Sequence, residues 1–414
     1  MYLDGSKFEA NANKYKFVWK PTTFHNKLSD KIRKLLKEYN IETGLPTKGI
    51  IESKIIANKI NELNDILKNY NLDLKENKVH NNNYKLLVQY LEKSLEYEEK
   101  ERICGPNRNS YYKTDNDATA MCLKEDYYSG LGSNMHAGYN TQIGVINVLI
   151  TAYLVTQSRT DINDFTPLLD IHYKFYDSYP KKLCADSGYG SLTNYKYLDK
   201  HKIENFVKYF SWQGNVSGKN PSQYHLNDDE SITCLNGNVG YKIELIWHHK
   251  KANSTFYKVE GCNNCQFNLY CKRFMKDKNE NYKVFEVTIE LQKYIQQAEA
   301  NLLSIAGIEM RVNRSSQVEG AFGVIKQDIQ YDRFRRRSLN KVSTEFMLVC
   351  LGYNIRKLFK HFDGNAKFGY WKAPDDIKPE IFKKPSAKRL SKKASKVKQK
   401  SVNNEAKSKY NYAN

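Results

Sequence analysis

Long hydrophobic runs are what this sequence most clearly lacks. No stretch approaches the ~18 continuous apolar residues that a membrane helix needs, so no bilayer span is expected. The start, MYLDGSKFEA, has neither the basic segment nor the apolar one of a secretory leader, and a cytoplasmic protein is expected. Cysteine is sparse as well: eight residues in 414 are too few and too unevenly placed for a disulfide scaffold. Acidic residues are in deficit, 46 against 66 Lys and Arg, leaving a formal charge of +20 and a pI near 9.3. That surplus favours a polyanionic partner, nucleic acid ahead of an anionic membrane surface. What is present suffices for a core, since 40% of the residues are hydrophobic and 13% aromatic, over a length suited to two or three domains.

Tyr2 and Leu3 run into Asp4-Gly5-Ser6, a strand fragment ending in an acid and a glycine. From about Phe24 to Lys100 the pattern turns helical: Leu28, Ile32, Leu35, Leu36 and Tyr39 share one face, and Ile56, Ile60, Leu63 and Leu67 repeat the spacing. A third helix reads through Leu87, Leu91 and Leu95, with Asn40 and Asn81-Asn82-Asn83 as loop material. Tyr139 to Thr156 reads as two paired strands, Phe165 to Tyr176 as a helix, and Lys182 to Ala185 as a short strand ending in Asp186-Ser187-Gly188. Ser191 is placed to cap the helix that follows. Residues ~210 to 285, with clustered cysteines and short aromatic-rich strands, read as an insertion. Helical periodicity returns from Leu291 to Phe362, and the Lys- and Ser-rich tail from about Lys383 is expected to be disordered, either lying along phosphates or simply solvated.

Three acids stand out. Two-metal phosphoryl transfer needs carboxylates from rigid elements converging on one point, because hard cations take oxygen ligands while leaving room for water and phosphate. Asp4 and Asp186 end apolar strand-like runs, and Glu319 sits on a helix beside Val318, Ala321 and Phe322, where a carboxylate is costly without a cation. Asp117, in Asp117-Ala118-Thr119, competes with Asp4 for the first place; with Asp115 it also reads as a turn and helix start.

The segments YLDGSKFEANANKYKFVW, ADSGYGSLTNYKYL and SSQVEGAFGVIK resemble, in order and context, the three acidic motifs of bacterial insertion-sequence transposases of the DDE superfamily. The resembling group has an RNase H-like catalytic core, a helical insert after the first Asp and a cysteine-rich insert before the Glu. The resemblance implies Asp4, Asp186 and Glu319 as catalytic ligands of two Mg²⁺ ions, and Lys326, seven residues beyond Glu319, as a phosphate-handling lysine. Arg314 resembles the arginine of the same signature, displaced by one position from its most familiar spacing and with no tyrosine in the expected place before it. It also implies a helical DNA-binding region ahead of the first core strand, so an N-terminally truncated chain is expected.

Cys262, Cys265 and Cys271, with Cys234 upstream, match a structural Zn²⁺ site by residue type, with His248 or His249 as substitutes for Cys234; a group of reduced thiols is the other reading. Arg333, Arg335, Arg336 and Arg337 follow the Glu319 helix, interleaved with Tyr331 and Phe334, and suit phosphate contact and base stacking unless they are a solvated face. The expected architecture is a mixed-sheet α/β RNase H-like core with a helical insert and a small β-rich cysteine-containing insert. Its segments are a first core strand in 1–20, the helical insert in 21–112, catalytic core in 113–210, the cysteine-rich insert in 211–290, core helices in 291–365 and a basic tail in 383–414. The implied activity is Mg²⁺-dependent cleavage of transposon ends and strand transfer on double-stranded DNA by a homodimer. A DNA-binding protein derived from a transposase, and a nuclease without strand transfer, are the alternatives.

Overall fold

The computed structural model describes residues 1–69, 78–123, 135–244, 253–273, 275, 279–364 and 369–382. Strand β1 (Tyr2–Glu9) lies inside a six-stranded sheet. It pairs antiparallel with β5 (His136–Ile146) along its whole length, from Tyr2 opposite Val145 to Glu9 opposite Gly138. Its other edge pairs in parallel with β7 (Lys182–Ala185), Tyr2 opposite Cys184, and β8 (Glu204–Val207) extends the sheet parallel to β7. Beyond β5, its outer edge is shared by β6 (Leu149–Thr156) and β4 (Thr119–Met121), both antiparallel. The order β6-β5-β1-β7-β8, three antiparallel strands followed by two parallel ones, is RNase H-like, as expected from the sequence.

Local chemistry explains the strands. β5 and β6 meet in a two-residue turn, Asn147 and Val148, both at positive φ (48° and 62°). Such mirror-image turns match strand twist and suit Asn, but a β-branched residue there is strained. Val148 is held from outside, its amide donating to Gln317 Oε1 at 2.8 Å. The short strands β7 and β8 are apolar on both faces because the sheet is covered on both. One cover is α4 (Phe165–Tyr176) and α5 (Leu192–Lys200), packed with Leu3, Leu183 and Ala185. Ser191 caps α5 as expected, accepting from the Asn194 amide at 3.2 Å.

The other cover is a long helical run and a following helix. The run begins as α9 (Ile305–Arg314), passes through a π-turn at Ser315–Glu319, a short α10 (Gly320–Gly323) and a second π-turn at Val324–Asp328. After an irregular loop, where the sequence pattern predicts continuing helix, α11 (Leu339–Phe362) returns across β6. Phe8 is the centre of this layer, its ring within 6.2 Å of those of Phe322, Tyr331, Phe334 and Phe346.

Two further units leave the sheet. Helices α1 (Thr22–Lys37), α2 (Ser53–Asn69) and α3 (Lys78–Cys104) share their own core of Leu28, Ile32, Leu36, Ile56, Leu63 and Leu87. Asn81-Asn82-Asn83, expected as a loop, lies in the first turns of α3, where Asn83 Nδ2 donates to Tyr39 Oη at 3.0 Å; tertiary bonding overrides the weak helix propensity of Asn. Strands β9 (Tyr224–Leu226), β10 (Ile232–Cys234), β11 (Val239–Ile243), β12 (Thr255–Glu260) and β13 (Tyr282–Val287) form a separate antiparallel sheet around Ile232, Tyr257 and Val259. The expected tail in 383–414 lies outside the described residues, as do His248 and His249. No described helix is long and apolar enough to cross a membrane.

Candidate functional site

Asp4 projects from β1 toward the layer of α9 and its continuation, and this face becomes the site. Its neighbour Gly5 leaves room for the side-chain amide of Gln142 on β5: a Cβ there would stand 2.5 Å from that amide and displace it. The Gly5 amide donates to Asp4 Oδ1 at 3.0 Å. One strand over, Asp186 follows the last residue of β7 in extended conformation before the turn Ser187–Tyr189. Lys208, just past the parallel neighbour β8, places its ammonium 3.5 Å from Asp186 Oδ1. Carboxyl ends of adjacent parallel strands therefore deliver an acid and a base to one place, as open α/β sheets generally do.

Arg314 joins these groups. Its side chain is 5% exposed, and its guanidinium reaches Asp4 Oδ1 at 2.9 Å, Glu319 Oε1 at 2.6 Å and, through Nε, the Leu3 carbonyl at 3.2 Å. Glu319 also accepts from Ser315 Oγ at 3.1 Å. In a regular α-helix, residues five apart point about 140° away from each other. The π-turn at Ser315–Glu319 removes that difference by adding a residue to the turn, which brings Arg314 and Glu319 to the same side.

The electrostatics follow from this crowding. Burial raises the Asp4 carboxyl to about 6; Arg314 and the Gly5 amide pull the other way, and the charges of Glu319 and Asp186 push it further up. Burial also pushes Asp186 up, but Arg314 and then Lys208 more than offset it, so Asp186 sits below the usual carboxylate range. Donor chemistry fits a hard divalent cation here: oxygen ligands of like charge, one of them held above its ordinary pKa. Among the described residues no three Asp, Glu, His or Cys side chains are grouped closely enough to hold a metal ion. The Arg314 guanidinium stands between Asp4 and Glu319 as their counter-cation.

A pH prediction follows. A folded pKa of about 6 against an ordinary 3.8 means stability that is fully present below pH ~4 and is lost as pH rises through about 6, on the order of 2 to 3 kcal/mol for a side chain that is 23% exposed. Asp4→Asn in metal-free buffer is therefore expected to stabilise the protein at pH 7.5 and to have little effect at pH 4. Denaturant unfolding at both pH values measures it; equal shifts at both would refute a strained, ionised Asp4.

Asp117 is elsewhere. Its Oδ2 accepts from the Leu339 amide at 2.8 Å and Asp115 Oδ1 from the Ser338 amide at 3.1 Å, so the two acids serve the start of α11. Lys326 donates to the Lys7 carbonyl at 2.8 Å with its ammonium 4.6 Å from the Phe8 ring centre, further along β1. Beyond it, Arg333 pairs with Glu9 at 4.0 Å and Arg337 Nε donates to the Asn11 carbonyl at 2.9 Å. Arg333, Arg335, Arg336 and Arg337 are exposed, but the aromatics among them are not free to stack. Phe334 is 1% exposed and packed on Phe8 and Tyr139, and Tyr331 is partly buried, because an aromatic side chain gains more from the core than from water. Lys208 was not singled out in the sequence; a Lys directly after the apolar run Phe206-Val207 was its one signal.

Cys234, Cys262, Cys265 and Cys271 line one cavity of about 30 Å³ with Lys272 and Lys283. The Phe267 amide donates to Cys265 Sγ at 3.4 Å and Lys283 Nζ to Cys271 Sγ at 3.2 Å. Burial raises the Cys262 thiol, Lys272 opposes this, and the other three thiols add to the rise.

A family model described as "Transposase DDE domain" matches residues 234–359. The match runs from the end of β10 into α11 and takes in the three clustered cysteines, Arg314, Glu319, Lys326 and the arginine run, and it supports a DDE transposase. Comparisons with curated proteins and with solved structures return no significant match.

Proposed function

We propose that this chain is an insertion-sequence transposase that cleaves transposon ends and joins them to target DNA. The observation that carries the proposal is one buried arginine, against an RNase H-like sheet, that pairs with Asp4 and Glu319 and whose charge also acts on Asp186. Asp4, Asp186 and Glu319 would hold two Mg²⁺ ions, which when bound supply charge neutralisation at the phosphodiester and an activated water. The chain's own residues do the rest. Arg314 and then Lys208 favour the ionised form of Asp186, and Arg314 holds the site together when no other cation is present. The arginine run begins beside Glu9, about 17 Å from Asp4 along β1 at strand spacing, and would grip phosphates of the duplex on either side of the site. Lys326 adds a contact when it leaves the Lys7 carbonyl. The reaction is attack by water on the end phosphodiester, then attack by the freed 3′-hydroxyl on the target, which asks for two copies in the cytoplasm acting on two ends. The cleavage assay argued in the Discussion tests this reading.

A second reading, a DNA-holding protein that does not cut, is favoured by the guanidinium standing between Asp4 and Glu319. Both readings share one expected result. Alanine at Arg335, Arg336 and Arg337 together weakens binding to any duplex and flattens its salt dependence by up to about one slope unit per lost phosphate contact. Affinity titrations at several salt concentrations measure it, and an unchanged slope removes the arginine run from the interface.

The cysteines are proposed to hold a structural Zn²⁺. Four thiols lining one cavity, with N–H donors to Cys265 and Cys271, supply the donor set, and the cation would draw the sulfurs together. Elemental analysis of purified protein is expected to find about one zinc per chain. Cys265→Ser is expected to lose it; protein free of zinc under reducing conditions leaves a group of thiols and nothing more.

A further inference from the structure

Helix α11 is apolar on two opposite faces. Val342, Phe346, Cys350 and Tyr353 are buried against the sheet. On the other side Leu348, Leu351, Ile355, Phe359 and Phe362 are 58, 52, 57, 69 and 82% exposed. At about 100° per residue these five fall in a stripe roughly 80° wide, diametrically opposed to the buried face. A helix that is hydrophobic all round is ordinarily covered on both sides, and a contiguous exposed stripe of this kind marks an association surface.

The spacing of the stripe says what covers it. Leu351 and Phe359 stand four residues to either side of Ile355, and Leu348 and Phe362 seven, so the pattern reads the same from both ends. An isologous contact needs such self-complementarity, whereas an unrelated partner gives no reason for it. A two-fold axis at Ile355 sets Leu348 against the partner's Phe362 and Leu351 against the partner's Phe359, smaller side chains against larger ones. It also sets exposed Gly352 against the partner's Leu358, which lets the helices approach closely, and it aligns the two helix dipoles in opposition. With about 200 Å² for each fully exposed side chain, the stripe and Met347 offer roughly 700 Å² per copy, close to the ~800 Å² per partner of a standard interface.

We propose that the exposed face of α11 is the interface between two copies of this chain, paired antiparallel about Ile355. The proposal rests on the two-copy reading above and assigns its surface. Light scattering after size exclusion is expected to show a dimer for the parent and a monomer for Ile355→Glu and Phe359→Glu. Both positions face solvent, so the melting profile of the monomers should keep the parent's shape. Mild oxidation of Ile355→Cys is expected to give a covalent dimer, and Phe210→Cys, at a position 94% exposed on another part of the chain, is expected to give none. A dimeric Ile355→Glu that also fails to cross-link as Ile355→Cys overturns this surface while two copies stand. A monomeric parent overturns both, and the stripe is then covered by another segment or protein. DNA cleavage by such a monomer would leave the chemistry proposed above intact.

Discussion

Asp186→Asn is expected to lower Mg²⁺-dependent cleavage of a transposon end by several orders of magnitude while leaving affinity for the same DNA unchanged or slightly raised. Asn keeps the shape of the side chain, so the extended backbone at 186 and the turn that follows it have no reason to move. What disappears is a negative oxygen ligand of the proposed cations and, with it, the partner of Lys208. The freed ammonium then faces incoming phosphate, and one repulsive charge is gone, which is why binding should not fall. Cleavage is measured on a labelled end at high DNA concentration, with binding followed in parallel by anisotropy. If the variant cuts as well as the parent, the transposase mechanism fails and the DNA-holding reading takes its place. A parallel loss of binding would instead mean that Asp186 shapes the surface rather than the chemistry.

Arg314→Met should be the most destabilising single change in the site. The guanidinium is buried and answers Asp4, Glu319 and the Leu3 carbonyl together. Breaking a buried ion pair by removing one partner typically costs 3 to 5 kcal/mol; with Glu319 49% exposed, about 3 kcal/mol is the reasonable figure. The sign of the pH effect is fixed by Asp4, whose carboxyl is already raised and loses its main opposing charge. The deficit should therefore be largest at neutral pH and shrink as the solution is acidified below about 6, where Asp4 takes up its proton. Divalent cation supplies a second check. If the three acids form a cation site, millimolar Mg²⁺ raises the melting temperature of Arg314→Met more than that of the parent, because the competitor for the same carboxylates has gone. An unfolding free energy equal to the parent's at pH 7.5 would refute the counter-cation role.

Which parts of this were legible in advance follows a physical line. The helix Phe165–Tyr176 and the strand Lys182–Ala185 were bounded correctly from the chain because their signals are local: periodicity, an apolar run, a capping Ser191. The mixed sheet was expected from the resemblance of the three acidic motifs, which lie in the same order as in the family. The loop after Asp328 was not legible, because Phe334 and its neighbours keep an apolar rhythm there for packing on Phe8 rather than for a helix. Nor was the burial of Phe334 itself, which turns an apparent stacking residue into core.

The sequence by itself determined the broad chemistry: a basic chain, three acids set beside apolar strand-like and helical runs, and a cysteine group. Composition and short-range spacing carry these, since each depends on residues within a few positions of one another. The tertiary structure alone decided how the acids are held. Arg314 is 310 residues from Asp4 and five from Glu319, and only a π-turn in a helix packed across the sheet sets its guanidinium between the two. It decided likewise that Asp117 caps α11, that Lys208 answers Asp186, and that α11 shows solvent a second apolar face. Each is a meeting of distant segments, set by burial and charge balance that no window of the sequence contains.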